Sequence, residues 1–191
     1  NINQSYSSGN ILINGEANEI GGLIGYALSA YSYVNDSYST GDITVTDTGA
    51  FVGGVFGFYQ SGLGYIANIY SNANIQAANA NYVGGLFGFL NSTVLYDNYY
   101  NGEVVGGDYT GGLIGKSDYV ELINSHSHGI VYGKSGVGGL IGYLDDAPLY
   151  ESRIIKSFST SDISGLEKVG GLAGSFIGNI NNSYAIGSVT G

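Results

Sequence analysis

The sequence predicts an all-β protein, a parallel β-solenoid (right-handed β-helix) of about six and a half coils, each 27–32 residues long with three short strands. Two observations predict it: a glycine box recurs six times, and an aromatic position with fixed apolar neighbours recurs seven times. Composition agrees, because 34 of the 191 residues are glycine, 18 are tyrosine and one is proline. Glycine costs a helix interior about 1 kcal/mol relative to alanine, and glycine at every third position, which collagen requires, is missing.

The glycine box has the pattern Gly-Gly-apolar-apolar-Gly. Its six copies begin at Gly21, Gly53, Gly84, Gly111, Gly138 and Gly170. The preceding residue is apolar in five copies and Thr110 in the fourth. Glycine allows sharp turns and close approach between backbones. We expect a short strand at each box, stacked on the strand of the next box.

The second repeated feature is an aromatic ring with regular neighbours. The ring positions are Tyr6, Tyr38, Tyr70, Tyr99, His126, Phe158 and Tyr184. The residue four before the ring and the residue five after it are apolar in all seven copies. One unit is too thin to bury its apolar face, so stacked units must complete the core. The pattern predicts a structural ladder of rings along the solenoid.

The repeat spans the whole chain, so residues 1–191 are expected to form one β-solenoid domain, a fragment of a longer array. A β-propeller is less compatible, because its blades need about 40–50 residues and four strands. The right-handed form is expected because connections between parallel strands are overwhelmingly right-handed.

The charge of the chain excludes several partners. Five basic residues stand against fifteen acidic residues, a net charge of −10. Such a surface repels the phosphate backbone of nucleic acids. No apolar run reaches the 18 residues of a transmembrane helix. Neither nucleic acid nor a membrane-spanning segment is therefore expected.

Four of the six residues that follow the glycine boxes are aromatic, and they form a candidate binding stripe. They are Tyr26, Phe58, Phe89 and Tyr143. On the outside they would suit sugar rings, a protein partner or self-association; pointing inward they would be core. The sequence favours the core.

Two segments between the boxes, residues 28–33 and 145–152, are expected to be loops on one side of the coils. The second loop contains Asp145, Asp146 and Glu151, a weak candidate Ca²⁺ site, since calcium prefers oxygen ligands. A solvated acidic turn is favoured over calcium, because the ligand order of an EF-hand and the nonapeptide calcium repeat are both missing, and no cofactor is expected. His126 and His128 lack a third ligand nearby, and His126 takes a ladder position, so a packing role is favoured over a metal.

The boxes resemble the GLUG motif, a glycine-rich repeat named for its Gly-Leu-apolar-Gly core. The similar segments are Val83-Gly84-Gly85-Leu86-Phe87-Gly88 and Asn35-Asp36-Ser37-Tyr38-Ser39-Thr40-Gly41-Asp42-Ile43. The resemblance covers essentially the whole chain. It implies a β-helical segment of a bacterial surface adhesin, or of the non-catalytic part of an immunoglobulin-cleaving peptidase.

The expected function is a non-catalytic structural and adhesive module, a rigid stalk or adhesin segment that is extracellular, on the cell surface or secreted. Its expected partners are further copies of itself, end to end or side by side, or a host or cell-surface protein or glycan. The alternative is a glycan-binding or glycan-cleaving β-helix. Cleavage would need a basic residue beside carboxylates in a groove, or two opposed carboxylates, and no known catalytic motif occurs.

Overall fold

The computed structural model describes residues 1–145 and 151–191, without the side chain of Leu63, and all regular elements within those residues are β-strands. The strands pair in parallel and form three sheets, so that the chain runs along each sheet once per coil. The predicted all-β parallel solenoid with three sheets is confirmed.

Sheet 1 holds the longest strands: Ile2–Asn3, Ile24–Asn35, Phe56–Ala67, Phe87–Tyr96, Ile114–Ile123, Ile141–Leu144, Arg153–Ile155, Ala173–Ser175 and Asn179–Asn181. Sheet 2 holds Tyr6–Ser7, Ile11–Ile13, Tyr38–Ser39, Ile43–Val45, Tyr70–Ser71, Ile75–Gln76, Tyr99–Val105, His126–Tyr132, Phe158–Ser159, Asp162–Ser164, Tyr184–Ala185 and Val189–Thr190. Sheet 3 holds Ala17–Gly21, Gly49–Gly53, Val83–Gly84, Thr110–Gly111, Ser135–Gly138 and Glu167–Gly170.

Equivalent residues of successive repeats lie directly over one another. The apolar residues four before each ring form one continuous column in sheet 1: Ile2, Val34, Ile66, Leu95, Leu122, Ile154 and Ile180. The inner members of this column are fully buried in one core that runs along the solenoid. Each coil therefore completes the core of its neighbours, as the repeat predicts.

The glycine box is a corner between two sheets, and the prediction that it forms one strand is wrong. Its first glycine ends a strand of sheet 3, and its second apolar residue begins a strand of sheet 1. At Gly85 a Cβ would lie 2.1 Å from the carbonyl oxygen of Gly112 in the next coil and 2.3 Å from the Tyr100 ring. Coils stack so closely at this corner that a side chain has no room.

The corner from sheet 1 to sheet 2 depends on backbone conformation rather than on glycine. The residue two before every ring has a positive φ of 49–56°: Gln4, Asp36, Asn68, Asp97, Asn124, Lys156 and Asn182. Asn and Asp tolerate this left-handed conformation better than other residues with side chains. Five of the seven residues are Asn or Asp. This preference is a sequence signal for the corner, and it is not part of the pattern of ring positions and their apolar neighbours.

Residues 28–33 do not form the predicted loop. They lie within strand Ile24–Asn35 and pair with strand Phe56–Ala67 of the next coil. The change from 12-residue strands to 10-residue strands along sheet 1 is absorbed by register irregularities around Asn91. The additional residues therefore lengthen the strands of sheet 1 and do not form a loop outside the sheet. Among residues 145–152, Asp145, Glu151 and Ser152 are described.

Hydroxyl groups beside the ladder satisfy backbone amides inside the coils. The backbone amide of Ser125 donates to Ser157 Oγ at 3.1 Å, and that of Ser157 donates to Ser183 Oγ at 3.1 Å. In the third coil Ile69 replaces the serine, and its amide donates to Asn98 Oδ1 at 3.0 Å. These bonds tie each coil to the next where a buried donor would otherwise be unpaired.

Candidate functional site

The outer side of sheet 1 is the most distinctive surface of the molecule. Side chains alternate along each strand, so that Phe56 and Tyr59 enter the core while Phe58 points outward. The outward side chains of strands Ile24–Asn35, Phe56–Ala67 and Phe87–Tyr96 are here named the tyrosine face. Most of them are aromatic, aliphatic or neutral amide groups.

The predicted stripe lies on this outer side, and the preference for the core is wrong. Tyr26 is 55% exposed. Its ring stacks on Phe58 with centroids 5.0 Å apart, and Phe58 stacks on Phe89 at 4.9 Å. Phe51 packs edge-on against both phenylalanines, and only 9% of Phe89 remains exposed. Inside this column the flat faces of the rings are used by neighbouring rings.

Farther along the coils the stripe becomes cationic. Lys116 Nζ lies 5.9 Å from the ring centroids of Tyr82 and Tyr143, and Lys168 Nζ lies 5.9 Å from that of Tyr143. These are cation–π distances. The stripe therefore has two parts. In the first coils its rings stack on one another, and in the later coils lysines contact the tyrosine rings.

A second aromatic column keeps its ring faces open. Tyr33 and Tyr65 meet edge to face at 5.1 Å and 68°, and Tyr65 and Tyr96 do so at 6.2 Å and 77°. All three are exposed, and the neighbouring Tyr31 is 68% exposed. Each edge-to-face contact uses the edge of one ring and one flat face of the other. Two such contacts among the three rings therefore occupy two of their six flat faces and leave the others available to another molecule. Sequence reasoning missed this column, although the alternation of Tyr31, Ser32 and Tyr33 was a visible signal.

Neutral polar groups lie between the two aromatic columns. Leu28, Gln60 and Asn91 occupy one column of sheet 1. Leu28 is exposed, whereas Gln60 and Asn91 are half-buried. The tyrosine face thus combines flat apolar rings with amide donors and acceptors.

Charge separates the tyrosine face from the later coils. The three strands of the tyrosine face contain no charged residue, and the chain has no basic residue before Lys116. Beyond that point Arg153 Nη2 lies 2.9 Å from Glu121 Oε1, and Lys116 Nζ lies 3.5 Å from Asp145 Oδ2. Sheet 1 therefore has an uncharged half and an ion-paired half.

The seven ladder rings lie in register on sheet 2. Their centroids are 4.7–5.4 Å apart, and the interplanar angles are at most 11°. The rings point outward; the two end rings, Tyr6 and Tyr184, are exposed and the five between them are half-exposed. The residue after each ring, such as Ser127, faces the core. Burial between Tyr99 and Phe158, and secondarily the charge of His128, lowers the pKa of His126.

The residues considered for metals do not converge among the described residues. Asp145 pairs with Lys116, Glu151 is exposed, and Asp146 lies outside the described residues. His128 Nδ1 lies 2.8 Å from Thr160 Oγ1. Residues 1–145 and 151–191 contain no cluster of three or more His, Cys, Asp or Glu side chains that could hold a metal ion.

One surface cavity brings a base near carboxylates, as the glycan-cleaving alternative requires. A cavity of about 340 Å³ is lined by Asp108, Lys134, Ser135, Leu166 and Glu167. Lys134 and Glu167 are exposed to solvent and Asp108 is only half-buried. High dielectric surroundings weaken the electrostatic effects on which general acid–base catalysis depends. The arrangement has the residue types of a catalytic site without an enclosed environment.

Comparisons with protein-family models, curated proteins and solved structures find no match to this chain. The GLUG resemblance therefore stays a prediction. No helix long and apolar enough to cross a membrane occurs within the described part of the chain.

Proposed function

We propose that this chain is a non-catalytic structural and adhesive module of a surface or secreted protein. The observation that supports it is the continuous column of core residues, from the paired Ile2 and Val34 to the paired Ile154 and Ile180. A continuous core with parallel backbone pairing makes a rigid body whose outer positions are free to vary. The resemblance to GLUG repeats adds the expectation of a bacterial surface adhesin.

The test of location uses intact cells of the source organism. Antibodies raised against the purified chain should label the outside of unpermeabilised cells or bind protein in the medium. Labelling that appears only after permeabilisation would contradict an extracellular role.

The adhesive role is tested by removing coils from the full-length protein in its own cells. Deleting one whole repeat outside the tyrosine face, such as residues 111–137, joins two equivalent box positions and should leave both the surface level and attachment unchanged. Deleting residues 21–110 removes the tyrosine face and should lower attachment to the cells' natural substratum. Equal attachment by both variants would contradict an adhesive role for this segment.

Catalysis is expected to be absent. The purified chain, incubated with a broad panel of neutral and acidic polysaccharides, should release no new reducing ends and no unsaturated products. Any cleavage would favour the alternative, and its loss in a Lys134→Met variant would place it in the cavity beside Asp108 and Glu167.

End-to-end assembly is a second candidate, and charge at the two outer coils favours it. Glu19 and Lys168 occupy the same repeat position, two residues before a glycine box. If a second copy continued the register, Lys168 of one chain would lie over Glu19 of the next. Ile180 and Val189 occupy core positions in the last coil and are about half exposed, at 44% and 47%. A following coil would bury them.

Sedimentation of the chain over a wide concentration range tests this version. Assembly should weaken in Lys168→Glu and recover in the charge-swapped Glu19→Lys, Lys168→Glu variant. A chain that is strictly monomeric at every concentration would exclude end-to-end assembly while leaving the structural module intact.

A further inference from the structure

We propose that the tyrosine face is a binding surface for neutral polysaccharides. The inference rests on the proposed adhesive function and names its surface and ligand class. The juxtaposition that carries it is an open, edge-to-face column of tyrosines beside a column of neutral amides, on a sheet face without charge.

Ring geometry selects this column over the predicted stripe. A pyranose ring packs its apolar C–H face against the flat face of an aromatic ring, and its hydroxyls need donors and acceptors around it. In the stack, Phe58 has a ring on each side and Phe89 is 9% exposed, so only the outer face of Tyr26 at the end of the stack remains open. Tyr33 and Tyr65 are inclined by 68° and exposed, so flat ring surface remains.

The shape of the face suits an extended chain. Tyr31 and Tyr33 lie on one strand, and Tyr65 is the partner of Tyr33 in the next coil. Tyr96, the partner of Ala67, lies two positions farther along the following strand, and its ring reaches that of Tyr65 diagonally at 6.2 Å. With strands about 4.8 Å apart, the rings form a row of platforms across the coils. Several weak ring contacts in a row favour a polymer over a single sugar.

Charge selects neutral sugars. The first 115 residues contain eight acidic residues and no basic residue. An anionic polysaccharide would meet repulsion and, on the three strands of the tyrosine face, no cation with which to pair; Lys116, at the edge of the face, already contacts Asp118 and Asp145. The side-chain amides of Gln60 and Asn91 can donate hydrogen bonds to sugar hydroxyls and accept hydrogen bonds from them.

A second copy of the chain is the less favoured occupant. Two copies meeting on this face would bring together two bodies of net charge −10, and exposed tyrosine hydroxyls would lose water. Loss of self-association in the face variants would identify a second copy as the occupant.

The test measures retention of the purified chain on amorphous cellulose, chitin, xylan and mannan, with polygalacturonate as the anionic probe. The wild type should bind at least one neutral polymer and not polygalacturonate. Tyr31→Ser and Tyr65→Ser should each weaken binding about tenfold, the usual effect of removing an aromatic anchor. Tyr132→Ser is the matched control, because Tyr132 is 49% exposed but lies on sheet 2, and it should bind within about twofold of wild type.

Circular dichroism and thermal melting establish that each variant is folded before binding is measured. The inference is overturned if no neutral polymer retains the chain, if Tyr132→Ser loses as much binding as Tyr65→Ser, or if the face variants abolish self-association instead. A folded, surface-located chain that binds none of these polymers would sink this inference and leave the structural module standing.

Discussion

The three strands of the tyrosine face and the later strands of sheet 1 share one inner pattern but have different outer surfaces. Inside, Leu86 and Leu140 occupy the same box position and are both fully buried. Outside, the early coils present open tyrosine rings, whereas the later coils present ion pairs such as Arg153 with Glu121. The comparison teaches that the inward residues specify the coil, whereas the outward residues carry the differences between coils.

The largest expected effect comes from adding a methyl group where coils meet. Gly85→Ala should destabilise the fold by about 4 kcal/mol or more, because the new Cβ would collide with the backbone of the next coil. Gly9→Ala is the control, since a Cβ there meets no atom within 4 Å. Chemical denaturation measures both. Equal stability of the two variants would refute the tight stacking of the corner.

Removing the buried leucine of the glycine box should lower the free energy of unfolding by a similar amount in both regions. Leu86→Ala and Leu140→Ala should each destabilise by about 2–5 kcal/mol, because each leaves a cavity in the continuous core. We expect the two values to differ by less than about 1 kcal/mol. A much larger difference in urea denaturation would show that the two regions do not share one inner pattern.

Removing an outer ion pair should have a small effect. Arg153→Gln breaks the exposed contact with Glu121 and should cost less than about 1 kcal/mol, since solvent screens exposed pairs. Repeating the denaturation at about 1 M salt, where the screening length is about 3 Å, should remove most of the difference. A loss of several kcal/mol would mean that the charged half contributes to the scaffold as well as to the surface.

The smallest expected effect is on the pH dependence of the stability of the fold. The pKa of His126 is lowered in the folded chain from its ordinary value of 6.5, so the unfolded chain binds this proton more tightly. The stability that the neutral His126 ring contributes to the fold is fully present above about pH 6.5. It is lost as the pH falls through the lower pKa of the folded chain.

Melting temperatures at pH 7.5 and 5.5 should therefore differ less in His126→Tyr than in the wild type, by no more than about 3 °C. His128→Gln is the control, and it should retain most of the wild-type difference. Identical pH dependence in His126→Tyr and wild type would contradict a ring held neutral in the ladder.

The sequence predicted the coils well because the inner positions repeat without exception at fixed offsets from each ring. It failed at the glycine box because a corner and a strand contain the same short run of apolar residues. It placed residues 28–33 in a loop because extra residues can lengthen a strand in one coil while the register is restored in another, as occurs around Asn91.

The candidate binding face was harder to predict. Aromatic residues line both sides of sheet 1, with Phe56 inside and Phe58 outside, so residue type alone does not distinguish core from surface. Ring inclination, which separates the closed stack from the open column at Tyr33 and Tyr65, depends on packing across coils that the sequence does not encode locally.

The register between coils is tested most directly by disulfide cross-linking, which the absence of cysteine makes simple. Thr44 and Gln76 are partners on neighbouring strands of sheet 2, and parallel partners lie within disulfide distance. Mild oxidation of Thr44→Cys, Gln76→Cys should form an intramolecular disulfide rapidly, whereas Thr44→Cys, Asn74→Cys, offset by two residues on the same face, should react far more slowly. Equal rates for the two pairs, or faster closure of the offset pair, would contradict the stacked solenoid.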